Sequence, residues 1–225
     1  MSLLDSFEPV AARTLPVILL LDTSGSMRED DKIEVLNDSV TEMIDELASV
    51  DGGHRFITMT IVTFGDDEAR VVLGPTPVSD IEFADLQARG NTPLGQAFRI
   101  ARELVEDYEA IPSRAYRPTV ALVSDGLPTD PGVWEPELDA LLASERGDKA
   151  TRFAVAVGQD ADRSMLARFT GGEVHEASDA SQIRKFLQFV TLTITQATLS
   201  VFDPTLAAEL EAEDSVLRLQ DDDAF

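Results

Sequence analysis

The chain has 225 residues, 42 of them Asp or Glu against 18 Lys or Arg, giving a formal net charge of −24 and a sequence pI of about 4.2. That balance argues against nucleic acid and anionic lipid as direct partners, since both require a basic face, while a hydrophobic fraction of 44% is ordinary for a packed core. The absence of Cys removes disulfides, thiolate metal sites and a Cys nucleophile, and two His are too few for a usual zinc site.

Residues 1–13 read as an N-terminal extension. Its first ten residues hold two acids, Asp5 and Glu8, and no base, unlike a signal peptide. The apolar run Val17–Leu21 is far shorter than the roughly 18 residues of a membrane span. The expectation is a soluble, intracellular (cytoplasmic) protein with no membrane contact.

Leu15 to Leu21 is a continuous apolar run ended by Asp-Thr-Ser-Gly-Ser, the pattern of a strand buried on both faces. Ile33, Leu36, Val40, Met43, Ile44 and Leu47 recur at helical spacing, and Asp51-Gly52-Gly53 stops that helix. Phe56 to Phe64 predicts a second strand, turning at Gly65-Asp66-Asp67 into a short antiparallel third over Ala69 to Leu73. A loop punctuated by Pro75 and Pro77 follows. Thr92-Pro93 then opens a helix, Thr as N-cap and Pro at the first helical position.

Thr119 to Ser124 reads as another buried strand, Trp134 to Ala143 as a helix, and Phe153 to Val157 as a further strand. A short helix near Met165 to Phe169 and a small strand around Glu173 to His175 precede the last helix, from Ser178 or Asp179. Within it Thr191-Leu192-Thr193-Ile194-Thr195 alternates like a strand. The wider series Ile183, Phe186, Leu187, Val190, Ile194, Ala197 and Val201 keeps a 3.6 period and decides for helix. Residues 203–225 carry eight acids and one base and read as a mobile acidic tail, whose Leu206, Leu210, Val216, Leu217 and Leu219 suit a docking helix.

Buried strands alternating with amphipathic helices predict an α/β fold: a Rossmann-like open, mostly parallel sheet over 14–202, with helices on both faces and one antiparallel edge strand. Such sheets bind ligands at the carboxyl ends of their strands, where the strand order reverses. Asp22-Thr23-Ser24-Gly25-Ser26, Gly90-Asn91-Thr92 and Asp125-Gly126 all fall at that edge. Two carboxylates (Asp22, Asp125) and three hydroxyls (Ser24, Ser26, Thr92) form an all-oxygen set suited to a hard cation such as Mg2+ or Mn2+. Singly, each residue has a plainer explanation: a turn, a helix cap, a solvated loop acid. The order and the shared edge favour the cation.

Asp22-x-Ser24-x-Ser26, Thr92 and Asp125 resemble the metal-ion-dependent adhesion site of the von Willebrand factor A domain family. The Asn-Thr-Pro-Leu-Gly loop and the Ser-Asp-Gly-Leu-Pro-Thr-Asp segment are similar to its bacterial tellurite-resistance-associated, TerY-like branch. The resemblance implies a non-catalytic protein-binding module in a stress-response system with kinase- or phosphatase-like partners. It implies that Ser24, Ser26 and Thr92 bind the metal directly or through water and that Asp22 and Asp125 act through water. A partner's Glu or Asp completes the shell. Met27, Arg28, Asp130 and Trp134 border the site as candidate partner contacts.

Two other classes compete. A Mg2+-dependent phosphohydrolase of haloacid-dehalogenase type also places an Asp after its first strand, but its second acid is replaced here by Ser24. An accessory subunit of a ring ATPase would use the same metal site. No Gly-x-Gly-x-x-Gly follows the first strand, and no Gly-Lys-Ser/Thr or Gly-x-Ser-x-Gly occurs. Lys is confined to positions 32, 149 and 185, a skew that high-salt adaptation and a GC-rich genome explain equally.

Overall fold

The computed structural model describes residues 13–52 and 56–202. His54, the extension through residue 12, and the acidic tail from 203 with its leucines lie outside the described residues. Strands β1 (Leu15–Asp22), β2 (Ile57–Gly65), β3 (Glu68–Pro77), β4 (Thr119–Ser124), β5 (Thr151–Val157) and β6 (His175–Ala177) form one sheet in the order β3-β2-β1-β4-β5-β6. Every neighbouring pair is parallel except β2 with β3. The expected architecture, with its single antiparallel edge strand, is the one found.

Among the described residues five α-helices cover the sheet: α1 (Lys32–Asp51), α2 (Leu94–Glu106), α3 (Trp134–Ala143), α4 (Arg163–Thr170) and α5 (Ser181–Phe202). The two-residue period of β1 sorts its side chains between two cores. Val17, Leu19 and Leu21 pack with α1 and α5, while Ile18 and Leu20 pack with α2, α3 and α4. A strand covered on both faces has no use for polar residues, which is why β1 is a run of Val, Ile and Leu. In the second core Phe98 is fully buried and stacks on Phe169 with ring centroids 5.6 Å apart. Phe98→Ala is expected to cost about 3–5 kcal/mol in urea unfolding.

α5 runs through the Thr-Leu-Thr-Ile-Thr stretch as the 3.6 period predicts. Two of the three hydroxyls that make this segment look strand-like are satisfied within the helix: Thr191 donates to the Leu187 carbonyl at 2.7 Å and Thr193 to the Phe189 carbonyl at 2.9 Å, while the buried Thr195 Oγ1 has no hydrogen-bond partner among the described residues. β3 departs from expectation by running on through Pro75 and Pro77. It is an edge strand, so a residue without an N–H is tolerated there, and its register against β2 shifts on both sides of Ile61. No helix among the described residues is long and apolar enough to cross a membrane.

The strand order places the chain's reversal between β1 and β4. From β1 the chain moves outward to β2 and β3, then returns across to β4 on the other side. Asp22 and Ser124 are the last residues of these two central strands. Their side chains and the loops after them form the carboxyl-end cleft.

Candidate metal centre

Asp22 is fully buried at the end of β1. Its Oδ1 accepts the Ser24 amide at 2.8 Å and its Oδ2 accepts the Ser124 hydroxyl at 2.8 Å. The Ser24 and Ser26 hydroxyls lie 3.1 Å apart, and Ser26 Oγ donates to Asp125 Oδ1 at 2.7 Å. One hydroxyl thus links the loop after β1 to the loop after β4.

Thr92 arrives from the third loop. Gly25 donates its amide to the Gly90 carbonyl at 2.9 Å, and Thr92 exchanges two bonds with Thr129: its amide donates to Thr129 Oγ1 at 2.8 Å, and its carbonyl accepts the Thr129 amide at 2.9 Å. A Cβ added at Gly126, beside Asp125, would lie 3.8 Å from Thr92 Oγ1. The three loops that carry the five candidate ligands therefore converge.

The helix-cap explanation for Thr92 does not describe its position. α2 begins at Leu94, and Pro93 rather than Thr92 stands at its N-terminal boundary. The capping acceptor comes from elsewhere in the chain: Asp130 Oδ2 takes the Gly95 amide at 2.8 Å. Burial raises the pKa of Asp130. Asp130 is thus turned towards the start of α2, and the Thr92 hydroxyl is left to the cleft.

Other residues expected at the rim are placed variously. Met27 is fully buried in the core beside α1, so its side chain is not available to a partner. Trp134 is half-buried against the core beneath α2 and α3. Arg28 is exposed, its Nε held by the Ala88 carbonyl. His175 packs its ring 4.6 Å from Phe189 and 5.3 Å from Phe186.

Burial of Asp22, with the nearby charge of Asp125 second, raises its pKa from 3.8 to about 6 against the hydrogen bonds it accepts from Ser24 and Ser124. Two buried carboxylates that repel each other, set among three hydroxyls, form a donor set that fits a hard divalent cation. Among the described residues no group of three or more His, Cys, Asp or Glu is placed to hold a metal ion, so in this site neutral hydroxyls complete the set.

Lys32 is the residue that spacing did not single out. Its Nζ donates to Asp125 Oδ2 at 2.8 Å, with side-chain exposures of 13% for the Lys and 0% for the Asp. The hydroxyl of Ser124 also escaped notice, because a strand-terminal Ser carries no spacing signal.

Residues 17–127 match the family model of the von Willebrand factor type A domain. The fold is that of the von Willebrand factor A family. Several solved structures share it at low identity. Proximal thread matrix protein 1 from the mussel byssus superposes with a TM-score of 0.62 at 19% identity, over 80% of this chain and 48% of that one. A further structure of that protein, with a zinc-occupied MIDAS motif, gives 0.60 at 18%, over 82% and 46%. The vWF domain of the type V pili tip protein Mfa5 from Porphyromonas gingivalis gives 0.61 at 10%, over 83% of this chain and 97% of that domain. This chain spans about half the length of the mussel protein. No curated protein matches it by sequence.

Proposed function

We propose that this carboxyl-end cleft binds one divalent cation, Mg2+ or Mn2+, and through it a Glu or Asp of a partner protein. The observation that carries the reading is the convergence of Asp22, Ser24, Ser26, Thr92 and Asp125, with two mutually repelling buried acids and a threonine hydroxyl not used as a cap. The zinc-occupied motif of the mussel protein supports it. A bound cation supplies a local positive field in an otherwise acidic surface. The chain's own residues do the rest: Ser24, Ser26 and Thr92 offer neutral oxygens, and Asp22 and Asp125 balance a double charge without exceeding it. That balance leaves a partner's carboxylate attractive, and the −24 charge of the whole chain disfavours poorly matched anions.

The binding unit in this reading is 14–202, and residues 203–225 are an acidic appendage. The role is non-catalytic, within a bacterial stress or tellurite-resistance type of system. The Ser24 hydroxyl is within hydrogen-bonding distance of Ser26 where the phosphohydrolase reading needs an acid.

Titration with Mn2+, followed by the electron paramagnetic resonance of the free ion, tests the site. The wild type is expected to bind one equivalent, and Asp125→Ala to bind about 100-fold more weakly. A Glu-containing peptide added to the loaded protein should lower the water-proton relaxation enhancement by displacing a bound water. Equal binding by wild type and variant, or a relaxation rate indifferent to the peptide, rejects the reading.

A further inference from the structure

The cleft contains a cation of the chain's own. Lys32 Nζ bonds Asp125 Oδ2 at 2.8 Å and approaches the Ser26 carbonyl at 3.4 Å, while the other oxygen of the same carboxylate holds the Ser26 hydroxyl. The ammonium thus bridges two of the residues assigned to the divalent ion. It is one of only three lysines in the chain.

The backbone is bent to put it there. Asp30 and Asp31 both adopt left-handed conformations, with φ of 54° and 57°, and α1 starts directly after them. Left-handed backbone is uncommon for any residue but glycine, and two in succession more so. The Asp31 side chain caps no amide at the start of α1. The double turn brings the first residue of α1 back towards the end of β4, beside Asp125.

An ammonium and a divalent ion that share one carboxylate repel each other, and with the Asp125 side chain fully shielded from water that repulsion is weakly screened, so each weakens the other's hold. Lys32 has a four-carbon stem and borders a groove of about 350 Å3 whose walls carry Glu29, Asp30, Asp160 and Asp179. A displaced ammonium therefore passes from one acid to others.

Resting on the cation reading above, we propose that Lys32 is a built-in competitor for the divalent ion. The cleft then has two forms, one closed by lysine and one loaded with cation. The lysine sets the cation concentration at which the edge becomes available to a partner carboxylate.

Two measurements on the full chain test this. Lys32→Met is expected to bind Mn2+ about tenfold or more tightly than wild type, whereas Lys32→Arg, which keeps the charge, stays close to wild type. In the unmutated chain, saturating Mn2+ should raise the acetylation rate of Lys32, read by peptide mass spectrometry, and leave the exposed Lys149 and Lys185 unchanged. Because the labelling uses the native sequence, it stands even if Lys32→Met does not fold. Wild-type binding of Mn2+ with no gain in Lys32→Met overturns the competition and leaves the metal reading intact, as does Lys32 labelling indifferent to Mn2+. Failure of every form to bind Mn2+ overturns both.

Discussion

Replacing Asp22 with Asn is expected to stabilise the cation-free protein by about 3 kcal/mol at pH 7 and to change nothing near pH 4. The sign follows from proton counts. Asp22 is held near 6 in the folded chain against 3.8 ordinarily, so between those values the folded state binds more protons than the unfolded one. Stability contributed by this group therefore falls as pH rises from about 4 to 6, and the full penalty persists above 6. The group is fully buried, so solvent does not screen the effect away. Asn cannot ionise and escapes the penalty. Its Oδ1 can still accept the Ser24 amide, and the Ser124 hydroxyl can turn to accept from its Nδ2. Saturating Mg2+ should reverse the order, because only the wild type then gains the free energy of binding. Urea unfolding at pH 4 and pH 7, with and without Mg2+, checks both halves. A wild type more stable than Asp22→Asn in chelator at pH 7 would contradict the assignment of strain to this carboxylate.

Gly65→Ala should be nearly as damaging, at about 3 kcal/mol or more, although the residue lies in no candidate ligand set. A Cβ there would sit 2.6 Å from the Thr23 carbonyl carbon and Oγ1, and closer still to the carbonyl oxygen. Thr23 cannot step aside cheaply: its amide donates to Phe64 at 2.9 Å and its carbonyl accepts from Arg89 at 2.7 Å. Thr23 stands between Asp22 and Ser24, so the displacement reaches the cleft. The expected readout is a joint loss of thermal stability and Mn2+ affinity. A variant that melts lower yet binds Mn2+ as tightly would show that the loop after β1 holds its shape independently of β2.

Much of this arrangement was legible in the sequence because the polar residues interrupt strong hydrophobic patterns. Asp22 and Asp125 stand where apolar runs stop, and the fold brings the ends of those runs together whatever their separation in sequence. The period of α5 was legible for the same reason, since Ile183, Phe186, Leu187 and Val190 outweigh a local Thr alternation of which Thr191 and Thr193 back-bond within the helix. What escaped was set by backbone geometry without a pattern. Lys32 is the first residue of an amphipathic helix and looks like any surface lysine until two left-handed aspartates aim it at Asp125. Asp130 reads as a loop acid until Gly95 presents an amide to it. Thr92-Pro93 carries the signature of a helix start, but the boundary falls one residue later and the cap is supplied by another loop. Pro75 and Pro77 signal a break in structure, yet an edge strand has one side on which a missing N–H costs nothing.

Those prolines bear on how copies of the chain behave in a crowd. An open sheet has two bare edges, and each is a template on which another chain can add a strand. Here β3 offers prolines and a shifted register, and β6 at the other edge is only three residues long. Charge repulsion at −24 keeps molecules apart in dilute buffer, but at molar salt it reaches only about 3 Å. The shape of the two edges does not weaken with ionic strength. Resistance to edge-to-edge polymerisation therefore survives conditions in which the acidic surface no longer protects.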